Sequence, residues 1–149
     1  MFDSKASLLS AFLTARLAEL AAGDAAAWDA AAQALGKTRE REPDLAATVD
    51  RRDAAGLRTI VDQWAAGTRP VPEQDRELLK GAMAAFRKRL KLTRLDQESS
   101  VGGGPMSGGR KSSIAGITPP RQYAREVWDA LARQKRLVDA GQGLFELPE

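Results

Sequence analysis

The side chains with the clearest chemical potential in this sequence are cationic, and they recur at helical spacing. Four of them share a narrow arc, at about 100° per residue, on one predicted helix: Lys80, Arg87, Lys91 and Arg94. Lys88 widens that surface. Such a row attracts phosphates and releases their counterions, which gives salt-dependent binding without sequence preference. The pattern therefore predicts a phosphate-binding surface, and a plain solvated helix face is the alternative.

A second group of polar side chains accompanies the last predicted helix. Arg121, Gln122 and Arg125 stand near its start, where side chains are candidates for contact with base edges in a groove. Arg133 and Arg136 follow, and we expect them on the face that points away from the core. Pairing of these arginines with the acids between them is the alternative.

A glycine-rich segment separates the two groups. Residues 102–109 hold five glycines and one proline, which predicts a loop without regular structure. The following residues, Arg110 and Lys111, invite comparison with the nucleotide P-loop, but Arg110 intervenes between glycine and lysine and no predicted strand precedes the loop. In a weaker hypothesis, the loop amides hold a phosphate together with Arg110 and Lys111, and a plain linker is the alternative.

Most familiar catalytic constellations are excluded by composition. The chain has no cysteine and no histidine, so disulfides, thiolate nucleophiles, zinc-thiolate sites and the usual general base near neutral pH are absent. No convincing set of carboxylates or serines replaces them. We therefore expect neither an enzyme nor a bound metal or cofactor, and an enzyme with carboxylate or serine chemistry is the alternative.

Charge is distributed unevenly along the 149 residues. Residues 1–69 hold nine Lys/Arg and ten Asp/Glu, whereas residues 87–136 hold twelve Lys/Arg and four Asp/Glu. The composition, 43% hydrophobic and 29% charged, is typical of globular proteins. No segment is long and apolar enough for a membrane span, and no signal peptide is recognised, so we expect a soluble cytoplasmic protein.

The first half predicts several short helices. Apolar spacing indicates one helix over residues 4–22, ended by Gly23, and Asp24 then caps a second helix that ends at Gly36. Pro43 suits the first turn of another helix.

A last helix of this half starts at a cap provided by Asp50 or Asp53 and ends at Gly67. The stretch 37–42 is charged and has no apolar spacing. Trp28 and Trp64 are assigned to the core.

The second half begins after a break at 68–72, where two prolines disfavour helix. A long helix over 73–95 follows, then the glycine-rich loop, strand character over 111–118, a helix over 121–134 and a short β-hairpin over 136–147. The predicted fold is thus mainly α: a bundle of short helices in 1–69, and a basic helix and hairpin module in 73–149. One continuous domain is the alternative.

The pattern of 73–149 resembles the winged-helix DNA-binding domain. Tyr123 to Leu137 resembles its recognition helix, Leu144 to Leu147 with the preceding glycine turn resembles its wing, and 112–118 its first strand. One departure is that Pro119-Pro120 stands where a second helix should end. The resemblance implies a fold and a DNA-binding function, and it rests on pattern without an invariant motif.

Binding of nucleic acid, DNA in particular, through the basic module is the function that the sequence favours. Trp128 lies at the border of the apolar and basic sides of the last helix, where it serves the core or stacks on a base. The alternative function is non-enzymatic interaction or assembly with a protein partner, and the oligomeric state stays open.

Overall fold

The computed structural model describes residues 2–100 and 116–148, and of residues 97–100 only the backbone. The described residues form a mainly helical fold with one two-stranded antiparallel sheet near the C-terminus, which confirms the predicted fold class. The predicted loop 102–109 lies outside them. The helices and strands are α1 (Leu9–Ala15), α2 (Leu17–Ala21), α3 (Ala25–Leu35), α4 (Thr38–Arg41), α5 (Pro43–Asp50), α6 (Ala54–Ala66), α7 (Glu73–Ser100), α8 (Arg125–Arg133), β1 (Val138–Gly141) and β2 (Leu144–Glu146).

The chain divides into two compact units, Met1–Leu78 (unit 1) and Leu79–Glu149 (unit 2). The boundary between the units falls inside α7, whereas the sequence placed it at the proline-containing segment 68–72 just ahead of that helix. In the part of the chain that the structure describes, no helix is both long enough and apolar enough to cross a membrane.

Local signals set several helix ends in unit 1, as predicted. The Asp24 carboxylate accepts hydrogen bonds from the amides of Ala26 and Ala27 at 3.0 and 3.3 Å, which caps α3. Asp53 caps α6 in the same way. At the other end of α6, Gly67 adopts φ +76°, a left-handed conformation that costs glycine little and ends the helix.

The single helix predicted over 4–22 is wrong, because α1 begins only at Leu9 and the backbone leaves helical geometry at Arg16. The Arg16 guanidinium donates to the carbonyl of Phe12 at 3.2 Å, the acceptor that its own amide would use in a continuous helix. That amide bonds to Leu13 instead. The side chain thus competes with the backbone at this position.

The stretch 37–42, which has no apolar spacing, nevertheless contains the short helix α4 at Thr38–Arg41. Thr38 is buried, and its hydroxyl donates to the side-chain oxygen of Gln74 at 2.8 Å. Arg41 forms an ion pair with Glu73. Contacts with residues more than thirty positions away therefore support a turn of helix that has no apolar periodicity of its own.

The core of unit 1 contains Trp28 and Trp64, as the sequence predicted, with exposed fractions of 3% and 8%. The Trp28 indole donates to the carbonyl of Leu20 at 3.0 Å, which satisfies its one polar atom in the interior. Small alanines of α3 fill the space around it: Ala27, Ala31 and Ala34.

Unit 2 is built around Phe86 of α7, Trp128 of α8 and Phe145 of β2, all nearly inaccessible to solvent. The rings of Phe86 and Trp128 lie 6.0 Å apart. The predicted hairpin is confirmed, since β1 pairs antiparallel with β2. Phe145 also exchanges two backbone hydrogen bonds with Ile117, at 2.8 and 2.9 Å, which gives strand character to the end of 111–118. Residues 111–115 lie outside the described range.

The last helix is shorter than predicted, since α8 begins at Arg125 and not at Arg121. Ala124 is extended, with φ −66° and ψ 153°, so the chain enters the helix only after it. Tyr123 packs edge-on against Trp128 with ring centroids 5.6 Å apart, which holds the preceding turn against the core. In contrast, α7 runs beyond the predicted end at Leu95 to Ser100, because no glycine or proline interrupts it there.

Candidate nucleic-acid interface

Three of the predicted cations form a row along α7 within unit 2. Phe86 and Leu90 are buried, and this fixes the rotation of the helix about its axis. Residues next to that buried stripe then face outward at its margin. The cations at this margin are exposed, and we call them the cation row: Arg87, Lys91 and Arg94.

The cation row lines one side of a surface groove of about 430 Å³. The other lining residues are apolar: Leu90, Leu95 and Leu147. Leu147 directly follows β2, so the hairpin brings its end to the same helix face. The groove therefore combines three positive charges with an apolar wall of three leucines, and none of the lining residues that the structure describes is acidic.

None of the three cations has an ion-pair partner within residues 2–96 and 116–148. In contrast, four arginines of unit 1 form ion pairs with carboxylates. These pairs are Arg39 with Asp50, Arg41 with Glu73, Arg52 with Asp29, and Arg69 with both Glu42 and Asp44. Four arginines of unit 1 are thus compensated by nearby carboxylates, whereas the three cations of the row lie together on α7 without such a partner among the described residues.

The best-buried of these pairs shows how the matched arginines are used. Arg69, whose side chain is 18% exposed, reaches Glu42 and Asp44 at 2.8 Å each and fastens the segment after α6 to the start of α5. The hydrogen bond from Arg69 lowers the pKa of Asp44. The same bond raises the pKa of Arg69, so both groups stay charged at neutral pH. These residues stabilise the fold and offer no free charge to a ligand.

The candidates around the last helix are dispersed. Arg125 forms an ion pair with Asp129 at 3.1 Å, and its guanidinium carbon lies 5.6 Å from the centre of the Phe145 ring. The predicted alternative, pairing with a neighbouring acid, is therefore confirmed for Arg125. Arg121 and Gln122 are exposed, but they lie in the turn ahead of α8 and therefore do not share a helix face with Arg125.

The other two arginines predicted for the last helix, Arg133 and Arg136, are also separated from one another by the helix end. Arg133 is the last residue of α8, and Arg136 lies beyond it, after Lys135 has adopted φ +61°. Both are exposed, but only Arg133 lies in the same helix as Arg125. The cationic face predicted for the last helix is thus shorter than expected, because the helix spans fewer residues.

The remaining candidates lie on α7 or outside the described residues. Lys88 is exposed one residue beyond Arg87 and does not line the groove. Arg110 and Lys111 lie outside the described residues. Trp128 is 2% exposed and belongs to the core, which decides between the two roles considered for it.

The apolar wall of the groove could not be predicted from local sequence patterns. Leu147 is separated from α7 by some fifty residues, and no spacing rule connects the two. Leu95 is a wall residue that the sequence could have indicated, because it is an apolar residue directly after Arg94 and lies off the buried stripe of α7. It is 51% exposed.

Within the described residues, no group of three or more Asp or Glu side chains is arranged to hold a metal ion. Comparison of the chain with protein-family models, with characterised proteins and with solved structures finds no match. Any functional assignment therefore depends on the geometry of the site itself.

Proposed function

We propose that this protein binds nucleic acid by its phosphate backbone, through the cation row of α7. The observation that carries the proposal is the cluster of three exposed cations along one groove, with no carboxylate among the lining residues that the structure describes. Charges that serve only solubility are usually interspersed with the opposite sign. A cluster of one sign raises the local concentration of anions.

The dimensions of the row suit a polyphosphate. An α-helix rises about 1.5 Å per residue, so Arg87 to Arg94 spans about 10 Å along the axis. One strand of duplex carries a phosphate every 3.4 Å or so along its axis. The three cations therefore cover a length that holds about three phosphates. Contacts of this kind position the protein on the backbone and read no sequence.

The winged-helix arrangement of 73–149 stays a prediction. The pairing of Ile117 with Phe145 supports it, because it adds a strand residue to the free edge of the hairpin. In contrast, residues 118–124 contain a turn and no second helix. The engagement of Arg125 by Asp129 leaves Arg121 and Gln122 as the candidates for base contacts. DNA as the target and the cytoplasm as the compartment likewise remain predictions.

The test is a titration of a fluorescently labelled DNA duplex at low salt, read by anisotropy. Arg87→Gln, Lys91→Gln and Arg94→Gln are combined in one variant, because glutamine keeps helix propensity and removes charge. The matched control carries Lys37→Gln, Arg51→Gln and Arg58→Gln, three exposed cations of unit 1. Both variants have the same net charge, so a difference in affinity reports the location of the charge.

The expected result is that the α7 variant loses most of the affinity while the control keeps it within about threefold, since distant exposed charges are largely screened. Equal losses in both variants would show that only net charge matters. No binding by the unaltered chain at low salt would remove the proposal.

A protein partner is the second candidate function, and the exposed leucines of α7 favour it. Leu92 and Leu95 are 53% and 51% exposed and stand three residues apart on α7, so they place apolar surface in solvent that a protein partner could cover. If this reading is right, the chain forms a salt-stable oligomer or a stoichiometric complex, and Leu92→Ser with Leu95→Ser dissociates it. Light scattering coupled to size exclusion measures the mass of the unaltered chain and of that variant.

A further inference from the structure

The aromatic side chains of this protein are all buried or partly buried. The chain contains three tryptophans, four phenylalanines and one tyrosine, and all eight lie within the described residues. Six are buried, each with an exposed fraction of 8% or less: Phe12, Trp28, Trp64, Phe86, Trp128 and Phe145. The other two, Phe2 and Tyr123, are partly buried.

The two partly buried rings are also engaged. Phe2 packs edge-on against Phe12 with centroids 4.9 Å apart, and Tyr123 packs against Trp128 in the same manner at 5.6 Å. The segment outside the described range, 101–115, contains no aromatic residue at all. Every ring of this chain is therefore either buried or packed against another ring, which leaves no fully exposed ring as a platform for a base.

Proteins that bind single strands without sequence preference combine a positive groove with aromatic platforms on which bases stack, each worth roughly 1–3 kcal/mol. The groove of α7 supplies the charge, and its wall is made of leucine. A single strand would gain the phosphate contacts alone and would lose its flexibility on binding. A duplex keeps its bases stacked on each other and presents its phosphates in a rigid array.

We infer that the nucleic acid bound by the cation row is double-stranded and is held by its backbone with no base stacked on the protein. This inference rests on the proposed function and specifies its ligand. Counterion release gives a dependence of log affinity on log salt of about −0.9 per contacted phosphate for B-DNA and about −0.7 for a single strand. For three contacts the slopes are about −2.7 and about −2.1.

These slopes convert into a measurable preference. If both forms bind equally at 1 M salt, the duplex binds about sixfold more tightly at 0.05 M. Between 0.05 and 0.2 M salt, the duplex loses about 40-fold in affinity and the single strand about 20-fold. Arginine guanidinium groups can also stack on bases, and this competing interaction would reverse the preference.

The experiment titrates the full chain with a labelled DNA duplex, a labelled RNA duplex and their separated strands, at several salt concentrations. The expected result is that at least one duplex binds more tightly than its own strands, with a slope of log affinity against log salt of about −2.7. Intrinsic tryptophan fluorescence should stay unchanged at saturation, because all three indoles are buried. The separate α7 variant tests whether the binding depends on the cation row.

The possible failures are distinguishable. A single strand that binds as tightly as the duplex, with affinity lost in the α7 variant, overturns the inference and leaves the proposed function in place. Strong tryptophan quenching by single strands also overturns it. Undetectable binding of every probe at 0.05 M salt removes the proposed function and the inference together.

Discussion

Asp75 provides the sharpest test of how unit 1 is held together. Its side chain is buried, with 1% exposed, in the first turn of α7. The carboxylate accepts hydrogen bonds from the amides of Leu9 and Ser10 at 2.7 and 2.9 Å. These are among the first amides of α1, which have no acceptor within their own helix. The residue in the capping position, Leu8, has no side-chain acceptor, so an aspartate 66 positions away in the chain caps the helix.

The magnitude follows from these two bonds. A hydrogen bond to a charged acceptor contributes about 1.5–3 kcal/mol, and removing one partner leaves a buried donor unsatisfied. The negative charge also interacts favourably with the positive end of the helix dipole. The two bonds share one acceptor group and water can reach part of the site after truncation, so Asp75→Ala should lower the free energy of unfolding by about 3 kcal/mol. Asp75→Asn keeps one acceptor oxygen and should cost about 2 kcal/mol.

The assay is urea unfolding of the full chain, combined with hydrogen exchange at the amides of α1. Glu77→Gln is the matched control, because it removes one negative charge from an exposed position on the same helix and should change stability by less than about 0.5 kcal/mol. In Asp75→Ala we expect faster exchange at Leu9 and Ser10. An unfolding midpoint for Asp75→Ala equal to that of Glu77→Gln would refute the capping role.

Two further predictions concern charged groups. Because the hydrogen bond from Arg69 lowers the folded-state pKa of Asp44 from its ordinary value near 3.8, that interaction stabilises the fold above pH 4 and is lost as the pH falls through the folded-state pKa. We therefore expect the free energy of unfolding to fall less with decreasing pH in Asp44→Asn than in the unaltered chain. The difference should be less than about 1 kcal/mol, because the carboxylate is 63% exposed. Identical pH dependences of the two proteins would contradict this prediction. The second prediction is that Arg121→Ala combined with Arg125→Ala weakens duplex binding less than the α7 variant does. Anisotropy at low salt measures both affinities. A larger loss in the Arg121/Arg125 variant would show that the interface lies around the last helix and not on α7.

Helix ends governed by neighbouring residues could be predicted from the sequence. Asp24 and Asp53 cap the helices that they precede, and Gly67 ends α6, because each device acts within one turn of chain. The hairpin followed in the same way from a glycine-containing turn between two short apolar runs. Helical spacing likewise brought the three cations of the groove onto one face of α7.

Ends that depend on distant contacts could not be predicted. The start of α1 depends on Asp75, and α4 depends on the hydrogen bond between Thr38 and Gln74. The start of α8 follows from the packing of Tyr123 on Trp128 and the extended backbone at Ala124. In each case a side chain far along the sequence, or the core itself, competes with the local pattern.

The sequence by itself determined the chemistry that is available to this protein: no thiol, no imidazole, and an excess of cations on an amphipathic helix. Residue types and helical period are local properties, so no tertiary contact was needed to find them. Only the tertiary structure decided which charges are uncompensated and which aromatic rings are buried. Both depend on residues brought together from separate parts of the chain, as Leu147 is brought to the cation row and Asp44 to Arg69.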